Sequence, residues 1–132
     1  MLDKFMVLRE DIRNVIEYGV GKGFEFDMRI PYYRGVSLSL VEDLNVLVDG
    51  ASFGKDKLTF AVGGLSYTFD EMATMATLRW EFGEKATVFV PLKGGIPLGF
   101  HRIEIALTIR ISYMGGGRTT KAVFDQFSAT GG

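Results

Sequence analysis

Cysteine is absent from this 132-residue chain, which excludes disulfides and thiolate metal sites. Histidine occurs once, as His101 in Pro97-Leu98-Gly99-Phe100-His101-Arg102. A catalytic imidazole needs an orienting partner and a group to activate, and a metal needs several good ligands, so His101 reads as a turn residue. No stretch reaches the roughly 20 apolar residues of a membrane-spanning helix. Met1 to Glu10 carries Asp3, Lys4 and Arg9, the opposite of a secretory leader, and cytoplasmic residence is the default expectation. The net charge of −1 supplies no field to attract nucleic acid or an anionic membrane. Glu42-Asp43 and Asp70-Glu71 are acidic neighbours, but adjacent strand residues point to opposite faces and cannot form an acid/base couple. They are expected to be solvated, to cap, or to meet an arginine. No glycine stretch has a Lys-Ser/Thr behind it at the opening of a helix, so phosphate cradling is unsupported. What remains is a binding or assembly module, or the junior subunit of an enzyme.

The chain does have a core: 47% of it is apolar, enough for one ordinary domain. Apolar residues alternate with period two, the mark of strands buried on one face. Phe24, Phe26, Met28 and Ile30 oppose Glu25, Asp27 and Arg29, and the glycine-rich Gly19 to Gly23 connects them back to Arg13–Tyr18 as a hairpin. Leu44, Val46 and Val48 stop at Asp49-Gly50. Gly63-Gly64 separates Leu58, Phe60 and Val62 from Leu65, Tyr67 and Phe69, as a two-residue hairpin loop does. Thr68 and Glu71 have capping-box spacing and predict a short helix between Thr68 and Ala76. Ala86–Val90 ends at Pro91, and the longest alternation runs from Ile103 to Tyr113. The expected fold is all-β: an antiparallel β-sandwich, immunoglobulin-like or jelly-roll-like, with one short helical insert. The sandwich is assigned to residues 1–114. Gly115-Gly116-Gly117 opens a tail, 115–132, in which Val123, Phe124 and Phe127 fall at helical spacing. That tail is either a loosely ordered terminus or a segment whose Phe124 and Phe127 dock on a partner.

Arg29-Ile30-Pro31-Tyr32-Tyr33-Arg34-Gly35 ends an amphipathic strand with two phenols and two guanidinium groups around a proline. Tyr and Arg concentrate where a protein meets another protein or a sugar. In an extended segment Tyr32 and Tyr33 cannot both pack on the same surface, so the segment is either an interface or a structural corner. Trp80-Glu81-Phe82-Gly83-Glu84 is the other aromatic cluster; a lone Trp in a sandwich favours the core. Arg29, Tyr32, Tyr33, Arg34, Trp80 and Phe82 are the partner-interface candidates. No catalytic or metal-ligating residue is assigned.

Taken in order, these stretches resemble the small β subunit of bacterial C-glycoside deglycosidases. The resemblance rests on Gly23-Phe24-Glu25-Phe26, Arg29 to Gly35, Glu42-Asp43-Leu44, Val48-Asp49-Gly50, Tyr67 to Met72, Arg79 to Gly83, and Leu107 to Met114. It runs from about Lys4 to Met114 and implies a β-sandwich packed on a large α subunit in a hetero-oligomer of αβ pairs. That α subunit would have a sugar-isomerase-like barrel, a divalent metal taken as manganese, and the catalytic residues. The implied reaction cleaves the C–C bond between an aromatic aglycone, such as a flavonoid, and a 3-oxo sugar. No cofactor is implied for this chain itself. The competing expectation is a free-standing carbohydrate- or polyphenol-binding sandwich with Tyr32, Tyr33 and Trp80 as stacking platforms. A structural adhesion or filament domain is a third.

Overall fold

In the computed structural model, residues 6–7, 12–31, 35–97, 99–110 and 117–128 are described. Tyr18 and Gly19 sit at φ 53° and 75°, the left-handed pair that a two-residue hairpin loop needs. They join β1 (Arg13–Glu17) to β2 (Val20–Met28). The turn is thus tighter than the five-residue glycine connection expected from the sequence. Gly21 and Gly23 lie within β2, where Val15 pairs with Gly23 and Ile16 with Gly21, leaving Lys22 as the extra residue of a bulge. A Cβ on Gly23 would run into the Val90 backbone carbonyl, so glycine there lets the neighbouring strand approach.

After a short β3 (Val36–Ser37) and a 3-10 turn at Leu38–Leu40 comes β4 (Val41–Val48). Asp49 and Gly50, at φ 51° and 88°, return it as β5 (Ala51–Phe53). The strands β6 (Thr59–Val62) and β7 (Leu65–Thr68) flank Gly63 and Gly64, at φ 64° and 87°, as the glycine pair predicts. The helix α1 (Phe69–Met72) begins at a full capping box: the Glu71 N–H donates to Thr68 Oγ1 at 3.2 Å and the Thr68 N–H to Glu71 Oε1 at 2.8 Å. Next come β8 (Arg79–Trp80), β9 (Ala86–Val90), the long β10 (Gly99–Arg110) and β11 (Gly117–Ser128).

The strand β11 corrects the reading of the tail over residues 117–128, which are neither helical nor loose. They pair antiparallel with β10 over its full length, from Gly99 with Ser128 to Arg110 with Gly117. In the strand Thr120 is buried and Ala122 packs against the core while Val123 is exposed, a period of two that the spacing of the three apolar residues does not show. The free edge of a twelve-residue neighbour decided for the ladder, which satisfies backbone groups that an isolated short helix leaves exposed. Ile111 to Tyr113, read as the end of the long strand, lie outside the described residues.

Two sheets result, ordered β1-β2-β9-β6-β7 and β11-β10-β4-β5, with β3 and β8 as a separate pair. This is the expected all-β sandwich, with α1 as its short helical insert. Phe24, Phe26, Phe60 and Val88 from the first sheet and Leu44, Val46, Ile105 and Leu107 from the second belong to one buried cluster. Opposite them, each sheet turns charge outward. Arg13 Nε meets Glu25 Oε1 at 2.8 Å and its Nη2 meets Asp27 Oδ1 at 3.1 Å.

Candidate partner interface

The two sequence clusters singled out above are neighbours in space. Beyond β2 the Arg29 N–H donates to the Met6 carbonyl at 2.9 Å, and Ile30 and Pro31 are buried. Tyr32, Tyr33 and Arg34 lie outside the described residues. The chain returns at Gly35, where a Cβ would collide with Glu81 and come within 2.9 Å of the Trp80 carbonyl oxygen. Val36 then pairs with Trp80 and Ser37 with Arg79. The Tyr-Arg segment is therefore bounded on both sides by fixed backbone, and Trp80-Glu81 runs directly against its exit.

Trp80 and Phe82 divide the roles proposed for them. Trp80 has no exposed surface. Its ring stands edge-on to Phe60 at 5.2 Å, and its indole N–H donates to the Glu84 carbonyl at 2.9 Å. It is a core residue in the isolated chain and presents no face to a ligand, so a sugar-binding sandwich using Trp80 as a stacking platform loses that platform. Phe82 is half exposed. It stands on a turn closed by Glu84 N–H to Glu81 O at 3.0 Å and by Glu81 N–H to Glu84 Oε1 at 3.0 Å, with Gly83 at φ 84°. The Arg79–Glu81 ion pair, 3.1 Å, lies beside it.

Register places further apolar surface at the same end. Met28 pairs with Ala86 and Thr87 with Ala61, so the Gly63-Gly64 turn lies at the end of the first sheet from which Arg29 leaves and into which Lys85 leads. Leu65, just past that turn, is 63% exposed. Alternation with Tyr67 and Phe69 places Leu65 inward, and the sequence reading missed its exposure. The reason is positional: β7 is a four-residue edge strand, and Leu65 opposes Val62 at its outer corner. A leucine beside a two-glycine loop at a sheet edge was the available signal.

The remaining candidate chemistry is structural. Glu42 pairs with Arg110 at 3.0 Å, the Asp43 carboxylate accepts the Leu44 N–H at 2.9 Å, and Glu71 caps α1, as expected of the acidic pairs. Burial pushes the Asp27 carboxyl up, but hydrogen bonds from Arg13 and Thr87 and the charges of Arg13 and Lys85 outweigh it and hold the group below its ordinary value. A shallow cleft of about 170 Å³ between β4 and α1 is lined by Glu42, Lys55, Phe69 and Asp70, and Lys55 Nζ donates to the Glu42 carbonyl there at 3.2 Å. Among the described residues no three His, Asp or Glu side chains are grouped to hold a metal, and no helix is long and apolar enough to cross a membrane.

Fold and site together define an antiparallel β-sandwich with a half-exposed aromatic, Phe82, and an open leucine, Leu65, near the end from which Arg29 leaves. More particularly, the chain belongs to the C-glycoside deglycosidase beta subunit family, whose model matches residues 2–113. It is 33% identical over 115 residues to a C-glycoside deglycosidase beta subunit of Eubacterium cellulosolvens, covering 86% of this chain and 78% of that protein. It is 34% identical over 94 residues to a 3'-dehydrocarminate deglycosidase beta subunit of a Microbacterium species, covering 70% and 69%. A C-glycoside deglycosidase beta subunit of Arthrobacter globiformis is 30% identical over 95 residues, covering 70% and 71%. The strand β11 lies beyond the residues that the family model matches.

Proposed function

We propose that this chain is the non-catalytic β subunit of a heteromeric C-glycoside deglycosidase, packed on an α subunit whose pocket it stabilises or shapes. The observation that carries the reading is family membership over most of the chain, and the exposed end around Phe82 gives it a place to act. A C–C glycosidic bond offers no leaving oxygen to protonate, so hydrolysis by two carboxylates is not available. Oxidation of the sugar at C3 acidifies the C2 proton, and a base can remove it. The electrons of that C–H bond form the C1–C2 double bond, the C1–aryl bond breaks, and the aryl carbon, activated by its phenols, takes up a proton. A divalent metal held by the partner, manganese in this reading, would polarise the C3 carbonyl. Such chemistry needs a base and metal ligands held within a few Å on a rigid scaffold. A sugar-isomerase-like barrel in the partner is the proposed source of both.

In this chain the contact is assigned to Arg29, Tyr32, Tyr33, Arg34 and Phe82. Arginines at such a site can make bidentate pairs with partner carboxylates, and aromatic side chains fill pockets at small entropic cost. The test is to purify the α subunit without this chain. Loss of activity or of solubility, restored on adding the chain, is the expected result; full activity and normal stability of the α subunit alone refute an obligate subunit.

A further inference from the structure

His101, set aside above as a turn residue, has both ring nitrogens engaged by groups that accept. Its Nδ1 lies 2.5 Å from Asp49 Oδ2 and its Nε2 lies 2.8 Å from the Pro97 carbonyl oxygen. A carbonyl can only accept, so Nε2 must carry a proton. Asp49 is fixed as an acceptor as well. Its second oxygen, Oδ1, takes the Arg102 N–H at 2.8 Å, while its own N–H donates to the Arg102 carbonyl at 2.8 Å. A neutral imidazole has one N–H, and these two partners ask for two. We infer that His101 is held in the folded chain as an imidazolium donating from both nitrogens, a proton-dependent clamp across three segments of the fold.

The segments are the Asp49-Gly50 turn between β4 and β5, the connection 91–97 that follows β9, and the head of β10. The connection is also tied elsewhere: Ile96 donates to the Asn14 side-chain oxygen at 2.8 Å, and Gly94 donates to the Gly21 carbonyl at 3.0 Å. His101 closes its far end. Among the described residues, the segments that meet at the ring carry the following charged groups. The turn contributes Asp49 and the connection carries Lys93. On β10 Arg102 and Glu104 follow the ring. On β11 the register partner of His101 is Gln126, and the neighbouring Asp125 lies 3.9 Å from Arg102. The His101 side chain is only 12% exposed, so water is poorly placed to replace a lost partner. The Asp49 carboxyl is correspondingly held below its ordinary range, chiefly by the hydrogen bond to His101 and then by the Arg102 N–H.

The clamp gives alkaline conditions a defined effect. A free imidazole gives up its second proton near pH ~6.5. In the fold, losing that proton costs one of the two bonds. The folded state therefore binds the proton more tightly than the unfolded state. The stabilisation is complete below about 6.5 and disappears as the pH rises through the folded value.

Because the chain has a single histidine, ring-nitrogen NMR of the isolated protein reads its state directly. Two imidazolium-like nitrogen signals persisting above pH ~7 are expected, since a free imidazole is mostly neutral there. A neutral-tautomer pattern in the folded chain at pH 6.5–7 overturns the inference. The Asp49→Asn variant keeps a residue that tolerates the left-handed turn position but removes the carboxylate. It should titrate at lower pH than the native chain, and an unchanged titration also overturns the inference. The unfolding midpoint of the native chain should approach that of His101→Gln as the pH is raised from 6 to 9; a constant difference between them contradicts the clamp. None of these outcomes depends on the α subunit.

Discussion

Asp27 is the residue where charge is most firmly built into the sandwich. Arg13 from the edge strand and the Thr87 hydroxyl, 2.7 Å away, converge on its Oδ1 from either side of β2. A carboxyl held below its ordinary value stabilises the fold above that value, near 3.9, and the benefit is lost as the pH falls through the lower folded one. Asp27→Asn is accordingly expected to cost about 1 kcal/mol at pH 7, with the difference from the native chain shrinking below pH ~4, as followed by urea unfolding across pH. Gly35 is critical for shape instead of charge. Gly35→Ala places a methyl against Glu81 and the Trp80 carbonyl, and should cost about 1–3 kcal/mol by the same measurement. No loss would mean that β3 and β8 can separate without consequence.

At the scale of elements, the central strand of the second sheet is the place to probe the core. Leu107 is 1% exposed and pairs with Leu44 on one side and Thr120 on the other. Leu107→Ala is expected to lower unfolding stability by ~2–5 kcal/mol through the cavity it leaves, measurable by denaturant titration. Most of these elements were legible because each carried two agreeing local signals. Asp49-Gly50 and Gly63-Gly64 combined turn chemistry with flanking alternation, and Thr68/Glu71 combined a cap with a break in period. The sequence misled where one signal stood alone. A glycine-rich run suggested a long loop, but Tyr18 accepted the left-handed position and released Gly21 and Gly23 into a bulged strand. In the tail, three apolar residues at helical spacing were outweighed by a ladder partner lying at least as far away as Arg110, a non-local contact that periodicity does not report. His101, read from the sequence as a turn residue, lies instead within β10, because Gly99 and Phe100 already pair with β11. Its partner Asp49 lies 52 positions away, and that distance hid the clamp.

At the scale of the whole molecule, the site splits into a support and a surface. Trp80 and Gly35 set the backbone; Phe82 and Leu65 face outward. Phe82→Ala should therefore leave the unfolding midpoint of the isolated chain nearly unchanged while weakening association with the α subunit by about 2 kcal/mol, as read by titration calorimetry. A fall in stability without loss of association would return Phe82 to the core. The central claim is assembly, and it is tested most directly by light-scattering chromatography of this chain co-expressed with the α subunit, with the pooled peak assayed against a 3-oxo C-glycoside. The account predicts a stable hetero-oligomer that releases the aglycone. A monomer that elutes apart from the α subunit and leaves its activity unchanged would contradict it.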